Sequence, residues 1–155
     1  MREQRGFCAY SERFIQETDS CDVEHFDPRI KHRAEDGYWN WYAVLHWMNN
    51  HKPRKIEPHL PLLTPYSSEL KSRIRYDSGQ YVVVDDKDRE AKNLISYLGW
   101  NRPELADDRA RHVSRVRELR GFFSNDTEFL AYLHDDPMSK SFATAVEAEL
   151  GIAIG

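Results

Sequence analysis

Glu24 and His25 stand side by side; Asn40 follows fifteen residues after the histidine, Asn49 nine further on, and Lys52 three beyond that. These residue types suit the hydrolysis of a phosphodiester. That reaction needs an activated water, a cation to neutralise the transition-state oxygens and a group that holds the base in place. Imidazole can serve as the base, because a reference pKa of ~6.5 leaves it a neutral lone pair near neutral pH. A neighbouring carboxylate can take the cation. Mg2+ keeps several waters and asks for few protein oxygens, an economy that the Glu24 carboxylate and the Asn49 carboxamide would meet. Consecutive strand residues alternate faces, so Glu24 and His25 share a site only if the strand twists or ends there. Pro28 is placed to end it.

Each of these residues also has a plainer reading. A histidine is more often a surface or satisfied side chain than a base, and Asn40 as a helix cap needs no catalytic role. The aromatic group Tyr38, Trp39, Trp41, Tyr42 and Trp47 reads as core rather than as a base-stacking platform. Between positions 28 and 55 the basic residues Arg29, Lys31, Arg33, Lys52, Arg54 and Lys55 outnumber the acids Glu35 and Asp36. They are either solvated loop charges or a rim that meets phosphate. Arg29, Lys31, Lys52 and Arg54 are the candidates for that contact.

The elements that must position these residues follow from the pattern. Residues 21–26 read as a strand ending before Pro28, and Asp36-Gly37 as a turn. Trp41, Val44, Leu45 and Met48 fall at the i, i+3, i+4, i+7 spacing of a helix with one buried face, with Asn40 as its N-cap and Pro53 beyond its end. The four prolines from 53 to 65 mark an irregular connector anchored by Ile56, Leu60, Leu62 and Leu63. Residues 73–84 read as a hairpin about Asp77-Ser78-Gly79. Helices are expected at 87–98, capped by Asp85-Asp86 and closed by Gly99, and from 101 to 120 with Pro103 in the first turn. The latter has the stripe Leu105, Val113, Val116 and Leu119, with Arg109, Arg111, Arg115 and Arg117 on the remainder as a candidate partner surface. Two short helices, near 125–134 and 139–150, complete the chain.

At 155 residues with 40% hydrophobic and 12% aromatic content, the chain has enough apolar material for a core, which argues against disorder. A single domain over 1–155 is expected. The net charge of −4 would not draw the whole protein to a polyanion, so the local basic excess carries that argument. The apolar run from 41 to 45 is too short to cross a bilayer and the N-terminus lacks a secretory apolar stretch; no membrane and a cytoplasmic location are the expectation. Two cysteines, Cys8 and Cys21, make no disulfide framework.

VEHFDP, YWNW and MNNHK together resemble the ββα-metal nuclease motif called HNH, and most of all the branch in which a V/I-E-H-F-x-P strand precedes an N-(x7)-C-N-x-x-K helix. The resemblance implies an α+β fold, a ββα-metal motif over residues 7–55 followed over 66–155 by a hairpin and a mostly helical half. By the same resemblance His25 is the general base, Asn40 orients it through a backbone contact, and Glu24 and Asn49 hold Mg2+ or Mn2+. The implied activity is an endonuclease on DNA, sometimes RNA. Downstream, RYDSGQYVVV and AKNLISYLGWNRPELADDRARHV resemble the HNH proteins of Septu-type and retron anti-phage systems, in which an ATPase accompanies the nuclease. A departure is instructive. Many members bind a structural zinc through two C-x-x-C pairs; here the matching positions are Cys8 and Ser11, then Leu45 and Met48. No structural zinc is expected, and apolar contact between helix and N-terminal segment takes its place.

Overall fold

The computed structural model describes residues 4–154; positions 1–3 and 155, the ends of the expected single domain, lie outside the described residues. The N-terminal segment is a series of turns closed by an antiparallel bridge between Phe7 and Phe14. Strand β1 (Cys21–His25) pairs antiparallel with β2 (Trp41–Leu45), placing Glu24 opposite Tyr42 and His25 opposite Trp41. Helix α1 (His46–His51) follows β2 without a connecting residue. Between the strands runs a loop with short 3-10 turns at Pro28–Ile30 and Tyr38–Asn40.

The helix expected from Trp41 is therefore half strand. The i, i+3, i+4, i+7 spacing is also met by a strand whose last residues are buried and a helix that takes up Met48. The run Trp41, Tyr42, Val44 favours the pleated state once β1 offers a partner. Asn40 is accordingly not a helix cap. The N-cap of α1 is Leu45, without a side-chain bond.

The connector after Pro53 is irregular apart from a 3-10 turn at Glu57–His59. Ile56 and Leu63 are buried anchors as expected, whereas Leu60 is exposed. After the single turn α2 (Leu70–Arg73), β3 (Ile74–Asp77) and β4 (Gln80–Val83) form a hairpin. Its two-residue turn, Ser78-Gly79, has positive φ at both positions (50° and 93°), the type I′ geometry that matches strand twist. Helices α3 (Arg89–Tyr97), α4 (Pro103–Arg120), α5 (Asp126–Asp135) and α6 (Ala143–Leu150) follow. The cap of α3 is Asp88, whose side chain accepts from Ala91 N, not Asp85-Asp86. The segment 139–150 splits into a 3-10 turn, Pro137–Lys140, and α6.

Arg109 corrects the reading of α4 as a helix with arginines outside its apolar stripe. It lies on the i+4 step between Leu105 and Val113 and is fully buried. Its guanidinium donates to the carbonyls of Gly79 (2.6 Å) and Trp100 (2.8 Å) and stacks over Tyr81 at 4.3 Å. It satisfies main-chain acceptors where the hairpin turn meets the α3–α4 turn.

One buried apolar cluster runs from Cys8 and Tyr10 through Val44, Met48, Leu94 and Tyr97 to Phe129, Val146 and Ile154. The fold is thus α+β, with two small antiparallel sheets and six helices among the described residues. Cys8, Leu45 and Met48 are all buried in this cluster, and Cys8 Sγ accepts the Leu45 N–H at 3.3 Å. Packing therefore joins the N-terminal segment to the β2–α1 junction. No described helix is long and apolar enough to cross a membrane.

Candidate active site

Glu24, His25, Lys31, Asn49, Asn50, Lys52 and Arg54, with Pro28 and Pro53, line one open cleft of about 360 Å³. β1 ends at His25, which is how two consecutive residues come to border the same space. Of the eight residues singled out in the sequence, six border the cleft. Arg29 and Asn40 do not.

His25 is mostly buried, and its Nε2 lies 3.0 Å from Asp36 Oδ2. Its ring is flanked by Trp41 (6.0 Å between centroids) and His32 (6.1 Å). Asp36 is held in turn. Its Oδ1 accepts from Asn40 Nδ2 (3.1 Å) and Trp41 Nε1 (2.8 Å), and its Oδ2 accepts from His32 N (3.2 Å). Desolvation raises the Asp36 pKa, but the hydrogen bonds from Asn40, Trp41 and His32, with the charge of His25, outweigh it and take the carboxyl from an ordinary 3.8 down to about 2. An ionised Asp36 fixes the proton of a neutral His25 on Nε2 and leaves Nδ1 as the lone-pair nitrogen.

Asn40 is completely buried. Its Oδ1 accepts from Asp27 N (2.7 Å), its Nδ2 donates to Asp27 O (3.1 Å) as well as to Asp36, and its carbonyl accepts from Phe26 N (2.9 Å). The expected backbone contact to the base is replaced by a side-chain route through Asp36. Exchanging Asn40 for Asp puts an oxygen where Nδ2 donates, against a carboxylate and a carbonyl. Asn40→Asp is expected to cost about 3 kcal/mol at neutral pH. Part of the loss should return on acidification, when the introduced carboxyl takes up a proton and can donate again, as read by thermal melts at pH 7 and 5.

Lys52 corrects the expected phosphate contact. Its side chain is 4% exposed and its Nζ bonds Glu24 Oε1 (2.8 Å) and Tyr97 Oη (2.9 Å). Arg29 is likewise engaged, its guanidinium forking onto both Asp27 oxygens at 2.7–3.2 Å. Lys31 and Arg54 remain. Both line the cleft, and neither enters an ion pair among the described residues.

Asn49 Nδ2 donates to Asp22 Oδ2 (2.7 Å), which also meets His46 Nδ1 (2.8 Å). Asp22 stands two residues before Glu24 on β1, on the same strand face. The amide nitrogen is thereby committed away from the cleft and Oδ1 is left to act as a donor atom. With Glu24 Oε1 bonded to Lys52, Oε2 is the second such oxygen. Among the described residues no group of three or more His, Cys, Asp and Glu is arranged to hold a metal. One carboxylate and one amide oxygen still fit a hard cation that keeps most of its water.

Sequence reasoning missed Asp36 and Asp22. Asp36 read as half of a turn signal; its role depends on a loop that returns it to His25 across eleven residues. Exchanging it tests both its effects. Asp36→Asn should lower any His25-dependent hydrolysis about a hundredfold or more, through loss of the fixed tautomer. It should also flatten acid unfolding. A carboxyl depressed to about 2 contributes stability above its ordinary 3.8 and loses it as pH falls toward 2, so the variant's stability should change less across that window. Equal acid limbs in a pH-jump denaturation series would contradict this.

No family model, curated protein or solved structure matches the chain.

Proposed function

We propose that this protein is a divalent-metal-dependent endonuclease of HNH type that hydrolyses phosphodiester bonds in DNA. The observation that carries the reading is the convergence of Glu24, His25 and Asn49 on one cleft that also presents Lys31 and Arg54. His25, with Nε2–H directed to Asp36, accepts a proton from water at Nδ1. The imidazolium that results is stabilised by the Asp36 carboxylate, as in any base held by a buried acid. Glu24 Oε2 and Asn49 Oδ1 would hold Mg2+ or Mn2+. Such a cation polarises the phosphate and offsets the charge that develops on its oxygens. Lys31 and Arg54 meet flanking phosphates, which makes binding fall steeply with salt. A role in anti-phage defence beside a partner ATPase belongs to the same proposal and rests on the downstream likeness alone.

The test is Mg2+-dependent cleavage of DNA, offered both as plasmid and as single strand, lost on chelation and in His25→Ala. A second reading has one observation in its favour. Lys52 already neutralises Glu24, as it would in a nuclease-derived module that binds DNA or a protein without cutting. DNA binding indifferent to chelator, with no cleavage under any divalent metal, would select it.

A further inference from the structure

Tyr38 and Trp39 are 80% and 64% exposed, against the expectation that they belong to the core. They are fixed all the same. The Tyr38 ring meets Trp41 edge-on at 5.1 Å, and Trp41 lies 6.0 Å from the His25 ring. Tyr42 Oη donates to the Trp39 carbonyl (2.7 Å). The indole lies over Gly37, where an added Cβ would come within 3.4 Å of Cδ1 and Nε1. The turn that carries both residues ends on fully buried Asn40. Two large rings are thus held open to solvent, and that of Tyr38 is one ring contact removed from the flank of the candidate base.

We propose that Tyr38 and Trp39 form a stacking platform for unpaired bases, so that the strand led into the cleft is single-stranded. The inference rests on the nuclease reading and names its substrate class. A stacking platform beside a basic track is how proteins hold single strands, since every base has a π-face while a duplex hides it. The charge of the loop that carries the rings, and of the cleft, suits a polyanion. Lys31 and Arg33 share their loop and Arg54 faces the cleft, all outside any ion pair among the described residues. The loop's acids Asp27 and Asp36 are taken up by Arg29 and His25, which leaves Glu35 as the opposing charge. A protein partner selected for its apolar contacts would not call for this free basic set.

The experiment measures binding of one fluorescent oligonucleotide sequence as single-stranded DNA, single-stranded RNA and DNA duplex, in chelator, alongside Mg2+-dependent cleavage. Wild type should favour a single strand over duplex, and whichever of the DNA and RNA arms binds tighter identifies its source. Tyr38→Ala and Trp39→Ala should each weaken single-strand binding about five- to 150-fold, leave duplex binding unchanged, and spare the fold because both side chains are exposed. Trp39→Phe should retain most of the affinity. Alanine variants that bind single strands like wild type, while Lys31→Ala and Arg54→Ala lose affinity and cleavage persists, would overturn the platform and leave the nuclease reading standing. Absence of binding to all three nucleic acids, together with absence of cleavage, overturns both. Self-association of wild type by sedimentation, abolished in the alanine variants and indifferent to oligonucleotide, would reassign the rings to a protein interface.

Discussion

Replacing His25 by alanine is expected to lower DNA cleavage about 10²–10⁴-fold, the range lost when a positioned general base is removed. The effect should fall on the chemical step. Glu24, Asn49, Lys31 and Arg54 are untouched, so affinity for DNA and for a divalent cation should stay near wild type. Fold stability should fall modestly, because the ring is mostly buried and its Nε2 is a partner of the Asp36 carboxylate, so the two proteins are compared at a temperature where both are folded. Single-turnover cleavage beside equilibrium DNA binding separates these effects. A variant that cuts as fast as wild type removes the proposed base. One that no longer binds DNA assigns His25 to binding instead.

Lys52→Met is expected to act on stability, by about 3 kcal/mol. Truncating one partner of a buried ion pair costs roughly 3–5 kcal/mol, because the other charge is left without its counter-ion. Glu24 still borders the cleft and can be solvated there, which puts the expectation at the lower end. Tyr97 Oη loses its donor at the same time. For a chain of this size the loss corresponds to a fall in Tm of roughly 6–12 °C. The double variant Glu24→Gln/Lys52→Met should cost less than the sum of the single changes, since most of the penalty is the orphaned charge. DNA binding discriminates between the two roles considered for Lys52. A phosphate contact would reduce the salt slope by about one when removed; an internal partner of Glu24 leaves the slope as it was.

The parts of this site that are legible in the sequence are those whose signals are local. Pro28 ends β1 where a turn is needed, Asp77-Ser78-Gly79 marks the hairpin, and Glu24, His25 and Asn49 are spaced so that a strand and a helix can bring them to one cleft. Less legible are features whose meaning depends on a distant partner. Trp41 to Leu45 carries a helical spacing, yet it pairs with β1, and nothing within the segment distinguishes the two states. Asp36 looks like a turn residue until Asn40, Trp41 and His25 close around it. Lys52 and Arg109 look like surface cations because charge alone says nothing about burial; one neutralises Glu24 and the other bonds two carbonyls. Tyr38 and Trp39 err in the opposite direction. Their size suggests core, but the short turn before β2 leaves them outside it.

The central claim is that Glu24 and Asn49 share a divalent cation beside His25. A crystal of the protein soaked in Mn2+, with anomalous diffraction recorded, tests it directly. The account predicts one anomalous peak in the cleft, ligated by Glu24 and Asn49 and lost in Glu24→Gln. A cleft without a peak under conditions that support cleavage, or a peak held by other residues, would contradict it.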